Sequence, residues 1–200
     1  MKVHALDTQL TVYTVGHSTH SLDDFFELLR AYSIERLVDV RTVPRSRHNP
    51  QFNHDTLGTF LSNRRIGYRH MKELGGLRLA RADSPNTGWH NASFRGFADY
   101  MQTPQFIEAV TELIELAREK TTVIMCAEAV PWRCHRSLIG DALVVRGVNV
   151  VDIYTPKSAK PHFMTPMAEV HGLLLTYPAE LDGERLSAVH GSDMHKMDIP

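Results

Sequence analysis

Cysteine is scarce in this chain of 200 residues, which contains only Cys126 and Cys134. Two cysteines cannot build the disulfide framework of a small secreted domain, so we expect thiols in a reducing compartment, with a catalytic or metal-related role. Long apolar runs are also missing. No segment approaches the roughly 18 residues that span a bilayer, and the first residues lack the apolar region of a signal peptide. The sequence therefore predicts a cytoplasmic protein without membrane contact.

Several nucleotide and hydrolase motifs are absent as well. The chain has no phosphate-binding Gly-x-x-x-x-Gly-Lys-Ser/Thr loop, no Gly-x-Gly-x-x-Gly fingerprint and no Gly-x-Ser-x-Gly elbow. It has no internal repeat and no domain linker either. These motifs imply no cofactor, and the sequence leaves the cofactor of the protein unknown. An apolar fraction of 42% is ordinary for a globular protein and sufficient for one core. We predict a single domain over residues 1–178 and a loosely ordered C-terminal extension over residues 179–200.

Predicted strands and helices alternate along the chain. The predicted strands are 11–15, 37–40, 67–71, 121–125 and 148–153. The first predicted helix follows the cap Ser21 and has Phe25, Phe26, Leu28 and Leu29 on one face, and the other predicted helices are 55–65, 94–120 with a break near Pro104, and 134–146. This order predicts a three-layer α/β fold whose mostly parallel sheet has helices on both faces, followed by a small C-terminal hairpin within 168–177. Ligands of such sheets bind beyond the carboxyl ends of the strands. The polar stretch from Glu73 to Ser93 is long enough to be a lid or a binding loop.

The segment after the fourth predicted strand concentrates reactive side chains: Cys126, Glu128, Cys134, His135 and Arg136. A turn from a strand into a helix directs backbone N–H groups at whatever lies in front of it, which favours an anion or a thiolate. We therefore predict Cys126 as a nucleophile or polar site residue, and Cys134, His135 and Arg136 as substrate contacts. The alternative is that Cys126 is only a small buried residue at a strand end.

Glu128 and His17 complete the predicted catalytic set with Cys126. Glu128 is either a general acid/base or an ion-pair partner that holds the neighbouring arginines in place. His17 directly follows the first predicted strand, which brings it to the same edge of the sheet as Cys126. A histidine at this position is either catalytic or held by structural hydrogen bonds.

A second group of polar residues follows the second predicted strand. Asp39 lies within an apolar segment, where an unpaired charge is costly, so it is expected to pair with an arginine; Arg41 and Arg136 are the candidates. Arg41, Arg45 and Ser46 would then offer hydrogen-bond donors to an oxyanion.

Two other interpretations remain open. Cys126, Cys134, His135 and His17 could assemble a metal site in space, but their spacing matches no zinc motif, and adjacent positions on a helix point about 100° apart. The segment from Arg36 to Arg95 carries ten arginines and one lysine against four acidic residues, a net charge of +7. This excess is typical of a solvated face or of an anionic partner. With Tyr68, Trp89, Phe94 and Phe97 as stacking surfaces it also fits a nucleic-acid-binding module.

An ordered set of motifs resembles the bacterial domain of unknown function 488 family. These motifs lie within residues 11–178 and include Tyr13-Thr-Val-Gly-His17-Ser18-Thr19, Val38-Asp39-Val-Arg41-Thr-Val-Pro44-x-Ser46, Asn49-Pro-Gln-Phe52-Asn53, Glu73-Leu-Gly-Gly76, Phe94-Arg95-Gly96-Phe-Ala-Asp-Tyr100-Met and Cys126-Ala-Glu128-x-x-Pro131-x-x-Cys134-His135-Arg136-Ser137. The resemblance implies one cytoplasmic α/β domain and assigns no reaction. From the residues themselves we expect an enzyme of the hydrolase or transferase type with a small phosphate-bearing, nucleotide-like or otherwise anionic substrate. The oligomeric state stays open.

Overall fold

A six-stranded sheet forms the centre of the computed structural model, which describes residues 9–179. Its strands are β1 (Thr11–Gly16), β2 (Arg36–Asp39), β3 (Gly67–His70), β4 (Thr122–Cys126), β5 (Asn149–Thr155) and β6 (Ser158–Pro161), in the spatial order β3-β2-β4-β1-β5-β6. All neighbours are parallel except β5 and β6. A separate hairpin of β7 (Glu169–His171) and β8 (Leu174–Thr176) confirms the hairpin predicted near the end of the domain.

Five α-helices connect the parallel strands: α1 (Leu22–Ala31), α2 (His54–Ser62), α3 (Ala92–Tyr100), α4 (Pro104–Glu119) and α5 (Arg136–Val144). The Ser21 hydroxyl caps α1 by accepting the Asp24 N–H at 3.1 Å. The predicted break in the long helical region lies between α3 and α4, where Thr103 caps α4 and Pro104 occupies its first turn. Proline is tolerated there because the first N–H groups of a helix have no partner within it.

The two faces of the sheet are covered by different helices because side chains alternate along each strand. Val12, Val38 and Ile124 belong to a buried cluster that includes side chains of α3, α4 and α5. Val15, Leu37 and Val123 belong to the cluster that includes side chains of α1 and α2. The predicted three-layer α/β fold is therefore confirmed.

Strand β6 was not predicted. Its sequence Ser158-Ala-Lys-Pro161 has no apolar alternation and contains a proline. Such a segment is tolerated because β6 is the last strand of the sheet and pairs only with β5. The predicted extension over residues 179–200 lies outside the described part of the chain except for its first residue, so the domain boundaries stay a prediction.

The connections of β1 and β4 create a crevice between these neighbouring strands. The chain leaves β1 through α1 towards β2, and it leaves β4 through α5 towards β5, which lies on the other side of β1. Because α1 and α5 cover opposite faces, the carboxyl ends of β1 and β4 flank a topological switch point, where open α/β sheets bind ligands. No helix within residues 9–179 has both the length and the apolar character required to cross a membrane.

Candidate functional site

A cavity of about 700 Å³ lies at the carboxyl edge of the sheet, where Gly16 of β1 pairs with Cys126 of β4. This position follows from the parallel pairing of β1 and β4, whose register places the carboxyl ends of the two strands side by side. The cavity is lined by His17, Ser18, Thr19, Arg41, Thr42, Val43, Arg45, Ser46, Asn49, Gly76, Leu77, Asn91, Ser93, Phe94, Cys126, Ala127, Glu128, Ala129, Arg133, Cys134 and His135. Of the nine residues that the sequence indicated, only Arg136 is missing from this lining.

His17 is buried and electrically neutral. Its Nδ1 lies 2.9 Å from the carbonyl oxygen of Ser18, and since a carbonyl only accepts, Nδ1 carries the proton. Nε2 is then a hydrogen-bond acceptor, and it lies 3.3 Å from an N–H-bearing nitrogen of Arg41. Burial lowers the pKa of His17 to about 4, with the Ser18 carbonyl acting in the opposite direction. The ring also stacks on Phe52 at 4.3 Å, so its orientation is fixed.

Arg41 is held by Asp39, as the sequence predicted. The guanidinium donates to both carboxylate oxygens of Asp39, at 2.9 and 2.6 Å, and to the carbonyl of Phe52 at 2.7 Å. Tyr68 donates its hydroxyl to the same carboxylate at 2.8 Å. Together with the contact to His17, these bonds use four of the five N–H groups of Arg41. One N–H remains for a ligand, so Arg41 serves mainly as a buried positive charge at the cavity wall.

Arg136 has a different position from the one expected. It is 1% exposed, and it donates to the carbonyls of Glu128 and Ala129 and, at 2.8 Å, to the sulfur of Cys126. Arg136 is also absent from the cavity lining, so its predicted contact with the substrate has no support in this structure and stays a prediction. Arg136 begins α5, and its side chain turns back beneath the loop instead of towards the cavity. Its bonds fix the course of the loop that carries Glu128.

Glycine is required at position 16 because this loop passes directly over β1. A Cβ atom at Gly16 would overlap the carbonyl oxygen of Glu128. The same closeness appears in the hydrogen bonds from the His17 and Ser18 N–H groups to the carbonyls of Cys126 and Ala127, both at 2.9 Å. The loop and the end of β1 therefore form one wall of the cavity.

The carboxylate of Glu128 is exposed and unengaged. No basic side chain within residues 9–179 lies within 4.0 Å of it, and none of their polar groups donates to it. The alternative role of Glu128 as an ion-pair partner for the arginines is thus not realised. The carboxylate is available to a ligand in the cavity.

Arg45 and Arg133 supply exposed positive charge at the cavity. Both are exposed, and neither guanidinium forms a hydrogen bond or an ion pair with another described residue. From the sequence, Arg133 is expected only to strengthen the positive field at the turn into α5, and it is not among the predicted substrate contacts. Ser46 lies beside them; its hydroxyl oxygen accepts the Asn49 N–H at 3.0 Å, which leaves the hydroxyl proton for a ligand.

The sulfur atoms of Cys126 and Cys134 lie in contact with each other, so the two residues are placed to pair as a disulfide, whereas the sequence predicts two thiols. The expectation considered only the number of cysteines. The loop between β4 and α5 folds back on itself, and this brings the two residues together. Both sulfur-bearing side chains line the cavity while being almost completely buried.

His135 connects this pair to the residue that directly follows β2. Its Nε2 donates to the carbonyl of Val40 at 3.1 Å, and its Nδ1 lies 3.6 Å from the sulfur of Cys134. Burial lowers the pKa of His135 to about 4, although the carbonyls of Val40 and Leu74 favour the protonated form. Gly76 packs against this ring so closely that a Cβ atom would lie 2.5 Å from Nδ1.

The polar stretch between β3 and α3 borders the cavity, in line with its predicted role as a binding loop. Gly76 and Leu77 lie near its start, and Asn91 and Ser93 lie at its end. The buried carboxylate of Asp99 on α3 holds the stretch in place, since it accepts hydrogen bonds from the backbone of Arg81 and from the side chains of Ser84 and Asn86.

The two alternative interpretations, a metal site and a nucleic-acid-binding module, have less support in the structure. Within residues 9–179, no group of three or more histidine, cysteine, aspartate or glutamate side chains is arranged to hold a metal ion. Of the predicted stacking residues, Phe97 is fully buried, and Tyr68 is tied to Asp39. Trp89 and Phe94 are partly buried against the core, and they stack on each other at 4.6 Å.

The fold and this cavity define the protein as a single-domain α/β protein with a polar site at the carboxyl edge of its sheet. The model of the family described as domain of unknown function DUF488 matches residues 21–143, which is more than half of the chain, and the protein therefore belongs to this family. The match includes Arg41, Glu128 and Arg136 and begins after His17. No curated protein and no solved structure shows significant similarity to the chain.

Proposed function

We propose that this protein is an enzyme that transfers or hydrolyses a group on a small anionic, phosphate-bearing substrate. The observation that carries the proposal is the charge of the cavity: three guanidinium groups, those of Arg41, Arg45 and Arg133, face one carboxylate, that of Glu128. Asp39 compensates Arg41, so the free positive charge comes from Arg45 and Arg133. Guanidinium groups bind phosphate and carboxylate through paired hydrogen bonds.

Each charged group has a distinct role in the proposed reaction. Arg45 and Arg133, on loops at two sides of the cavity, bind the anion, while the remaining N–H of Arg41 and the hydroxyl of Ser46 orient it. His17 positions Arg41, because its Nε2 accepts from the guanidinium. Glu128 takes a proton from the attacking group or gives one to the leaving group, which requires the unengaged carboxylate described above.

Cys126 is the proposed nucleophile in its thiol state. The donor from Arg136 favours the thiolate, which is the reactive form. An attack by the Cys126 thiolate would form a bond between its sulfur and the transferred group and break the bond to the leaving group, which would depart as an anion beside Arg45 and Arg133 and take a proton from the solvent. Glu128 would then take a proton from water or an acceptor substrate, whose attack releases the group and restores the thiolate. In the paired state Cys126 is not a nucleophile, so assays of this function require reduced protein.

Binding of inorganic phosphate and pyrophosphate to the reduced protein, measured by isothermal titration calorimetry, tests the anion site. Replacing both Arg45 and Arg133 with Gln is expected to weaken binding at least roughly tenfold, because a hydrogen bond to a charged group contributes about 1.5–3 kcal/mol. The double variant Arg30→Gln and Arg118→Gln removes two exposed arginines far from the cavity and serves as the matched control. Equal affinity in both double variants would rule the proposed site out.

Salt dependence separates this proposal from a nucleic-acid-binding module. The second candidate is kept because Trp89 and Phe94 are stacked and only partly buried, and Phe94 lines the cavity. It predicts binding of a single-stranded oligonucleotide that weakens steeply with added salt. A small-anion enzyme is expected to bind nucleoside monophosphates or phosphate esters more tightly than the oligonucleotide at 0.2 M salt. A cytoplasmic location stays a prediction of the sequence.

A further inference from the structure

A disulfide between Cys126 and Cys134 is poorly suited to a purely structural role. Such a bond joins residues whose Cα atoms are 7.5 Å apart, which is beyond the usual range, so it requires the backbone to shift. It also lies in the wall of the cavity instead of in the apolar core alone. Disulfides in a reducing compartment, which the sequence predicts here, are usually transient and belong to redox chemistry.

Cys126 has the neighbour that a reactive thiolate needs. Arg136 donates to its sulfur at 2.8 Å, and no carboxylate within residues 9–179 forms an ion pair with this buried guanidinium. Burial lowers the pKa of Arg136 to about 10, although Asp152, Tyr154 and Glu128 act in the opposite direction, because the buried positive charge has no carboxylate in direct contact. When the pair is reduced, the Cys126 thiolate is the nearest group that can compensate it.

Cys134 has the neighbour that a resolving thiol needs. The Nε2–H of His135 is engaged by the carbonyl of Val40, so Nδ1 is unprotonated in the neutral ring. Nδ1 faces the sulfur of Cys134 at 3.6 Å. A base at this position can take the thiol proton at the moment when Cys134 attacks.

We propose that Cys126 and Cys134 are a redox-active pair, in which Cys126 reacts first with a low-molecular-weight disulfide and Cys134 resolves the product. The Cys126 thiolate attacks one sulfur of the small disulfide, forms a mixed disulfide and releases one small thiolate. Cys134 gives its proton to His135 and attacks the Cys126 sulfur, which forms the internal disulfide and releases the second small thiolate. His135 returns the proton to the solution. Two protein thiols and one small disulfide therefore become one protein disulfide and two small thiols.

This pair goes beyond the proposed function and does not depend on a bound anion. Only its effect on activity rests on the proposed function, because oxidation of the pair removes the proposed nucleophile Cys126. The internal disulfide would then be the resting state of the enzyme under oxidising conditions, and a small dithiol would restore activity.

The reaction with 4,4′-dithiodipyridine, a neutral disulfide whose thiol product absorbs light, tests the order of events. We expect reduced full-length protein to release two product molecules per chain and to retain no adduct mass. Cys134→Ser is expected to release one product molecule and to keep one thiopyridyl group, because the resolving thiol is missing. Cys126→Ser is expected to react at least roughly tenfold more slowly than the wild type, since Cys134 lacks the guanidinium neighbour.

The variant His135→Gln separates catalysis by the ring from a structural effect. The first release should proceed at nearly the wild-type rate, while the second release is slow at pH 7 and recovers as the pH rises and Cys134 ionises without a base. His90→Gln, an exposed histidine outside the cavity lining, is the control. Circular dichroism confirms that each variant is folded before its kinetics are compared.

Two results would contradict the proposal that Cys126 and Cys134 are a redox-active pair. One is wild-type protein that retains a stable adduct and releases a single product; the other is Cys126→Ser that reacts as fast as the wild type. The phosphate titration of the reduced protein is independent of both. If the reduced protein releases the expected number of thiols but does not bind phosphate, the proposed function is refuted and the redox pair is established.

Discussion

Three buried or partly buried histidines of this protein differ in charge because their hydrogen-bond partners differ. His17 and His135 each donate to one backbone carbonyl, and burial lowers both pKa values to about 4. His162 lies between two carboxylates, with Nδ1 at 3.1 Å from Asp152 and Nε2 at 3.0 Å from Asp141. Burial opposes its protonation, but the bonds to both carboxylates outweigh this effect and raise its pKa to about 9. The cavity histidines are therefore neutral acceptors, whereas His162 is a cation with a structural role.

Glu128→Gln tests the proposed acid/base residue. Because its carboxylate has no partner within the described residues, the free energy of unfolding should change by less than about 0.5 kcal/mol. Turnover of a phosphate ester by the reduced protein should fall roughly 10²–10⁴-fold, which is the usual contribution of general acid–base catalysis. Thermal unfolding and initial rates measure the two effects, with the exposed Glu108→Gln on α4 as control. A loss of stability together with normal turnover would assign Glu128 a structural role instead.

Gly16→Ala tests the contact between β1 and the loop after β4. The added methyl group overlaps the carbonyl oxygen of Glu128, which must move, and we expect a loss of about 1–3 kcal/mol in the free energy of unfolding. Gly58→Ala in α2 is the matched control, because its Cβ would make ordinary contact with Tyr68 at 3.7 Å. Alanine there should be neutral or stabilising, since it is the better helix former. Urea unfolding of both variants gives the comparison, and equal stability would show that the loop has room to shift.

At the scale of the elements, the stretch between β3 and α3 depends on a single carboxylate. In Asp99→Asn an amide donor replaces one of the two carboxylate oxygens. One of these oxygens accepts the Arg81 N–H at 2.8 Å, and the other accepts from Ser84 and Asn86. Two donors then face each other in a buried position, at a cost of about 1–3 kcal/mol. We expect faster cleavage by trypsin after Arg78 and Arg81 and weaker phosphate binding. Asp83→Asn, which affects only an exposed ion pair on the same stretch, should change neither; if it equals Asp99→Asn, the buried network does not control the stretch.

The elements that the sequence predicts well are those that cross the core. Strands such as Thr122–Cys126 are buried throughout, and helices such as α1 and α4 have clear caps, so pattern and capping agree. The edge strand β6 has neither signal, because it pairs on one side only. For the site, the sequence predicts the position at the edge of the sheet but not the direction of each side chain. The rule that polar residues collect at the carboxyl ends of parallel strands brought His17, Arg41 and Cys126 together correctly.

Other features of the site depend on which way a side chain turns, and this is set by packing that the sequence does not express. Arg136 faces the loop and not the cavity for this reason, and the pairing of the cysteines follows from the path of the loop between them. The network around His162 had a usable signal that was overlooked. Asp141 and Asp152 are acids within apolar segments, like Asp39, and the same reasoning would have predicted buried partners for them.

At the scale of the whole molecule, the His162 network ties the C-terminal part of the described chain to the sheet. Asp141 on α5 also accepts from the Tyr177 hydroxyl at 3.0 Å and from the Thr165 N–H at 3.1 Å, and Asp152 on β5 accepts from Thr14 on β1. These contacts join two strands, one helix and the segment that follows β6. Loss of the His162 charge is therefore expected to weaken the fold beyond the family-matched residues 21–143.

The histidines predict how stability depends on pH. The folded-state pKa of His162 is raised from 6.5 to about 9, so its contribution is fully present below pH 6.5 and is lost as the pH rises towards 9. His17 and His135 have folded-state pKa values lowered from 6.5 to about 4, so the unfolded chain binds more protons and stability falls as the pH decreases from 6.5 towards 4. The free energy of unfolding should therefore be greatest near pH 6.5.

Urea unfolding between pH 5 and pH 9 measures this profile. The wild type should lose up to roughly 3 kcal/mol between pH 6.5 and pH 9, since one unit of pKa shift corresponds to about 1.4 kcal/mol. His162→Gln should be less stable at pH 6.5 and nearly insensitive to pH on the alkaline side, because no imidazolium remains to be deprotonated. His171→Gln changes an exposed histidine of the hairpin and should retain the wild-type slope. An alkaline slope that persists in His162→Gln would mean that another group titrates there and that His162 is already neutral in the folded protein.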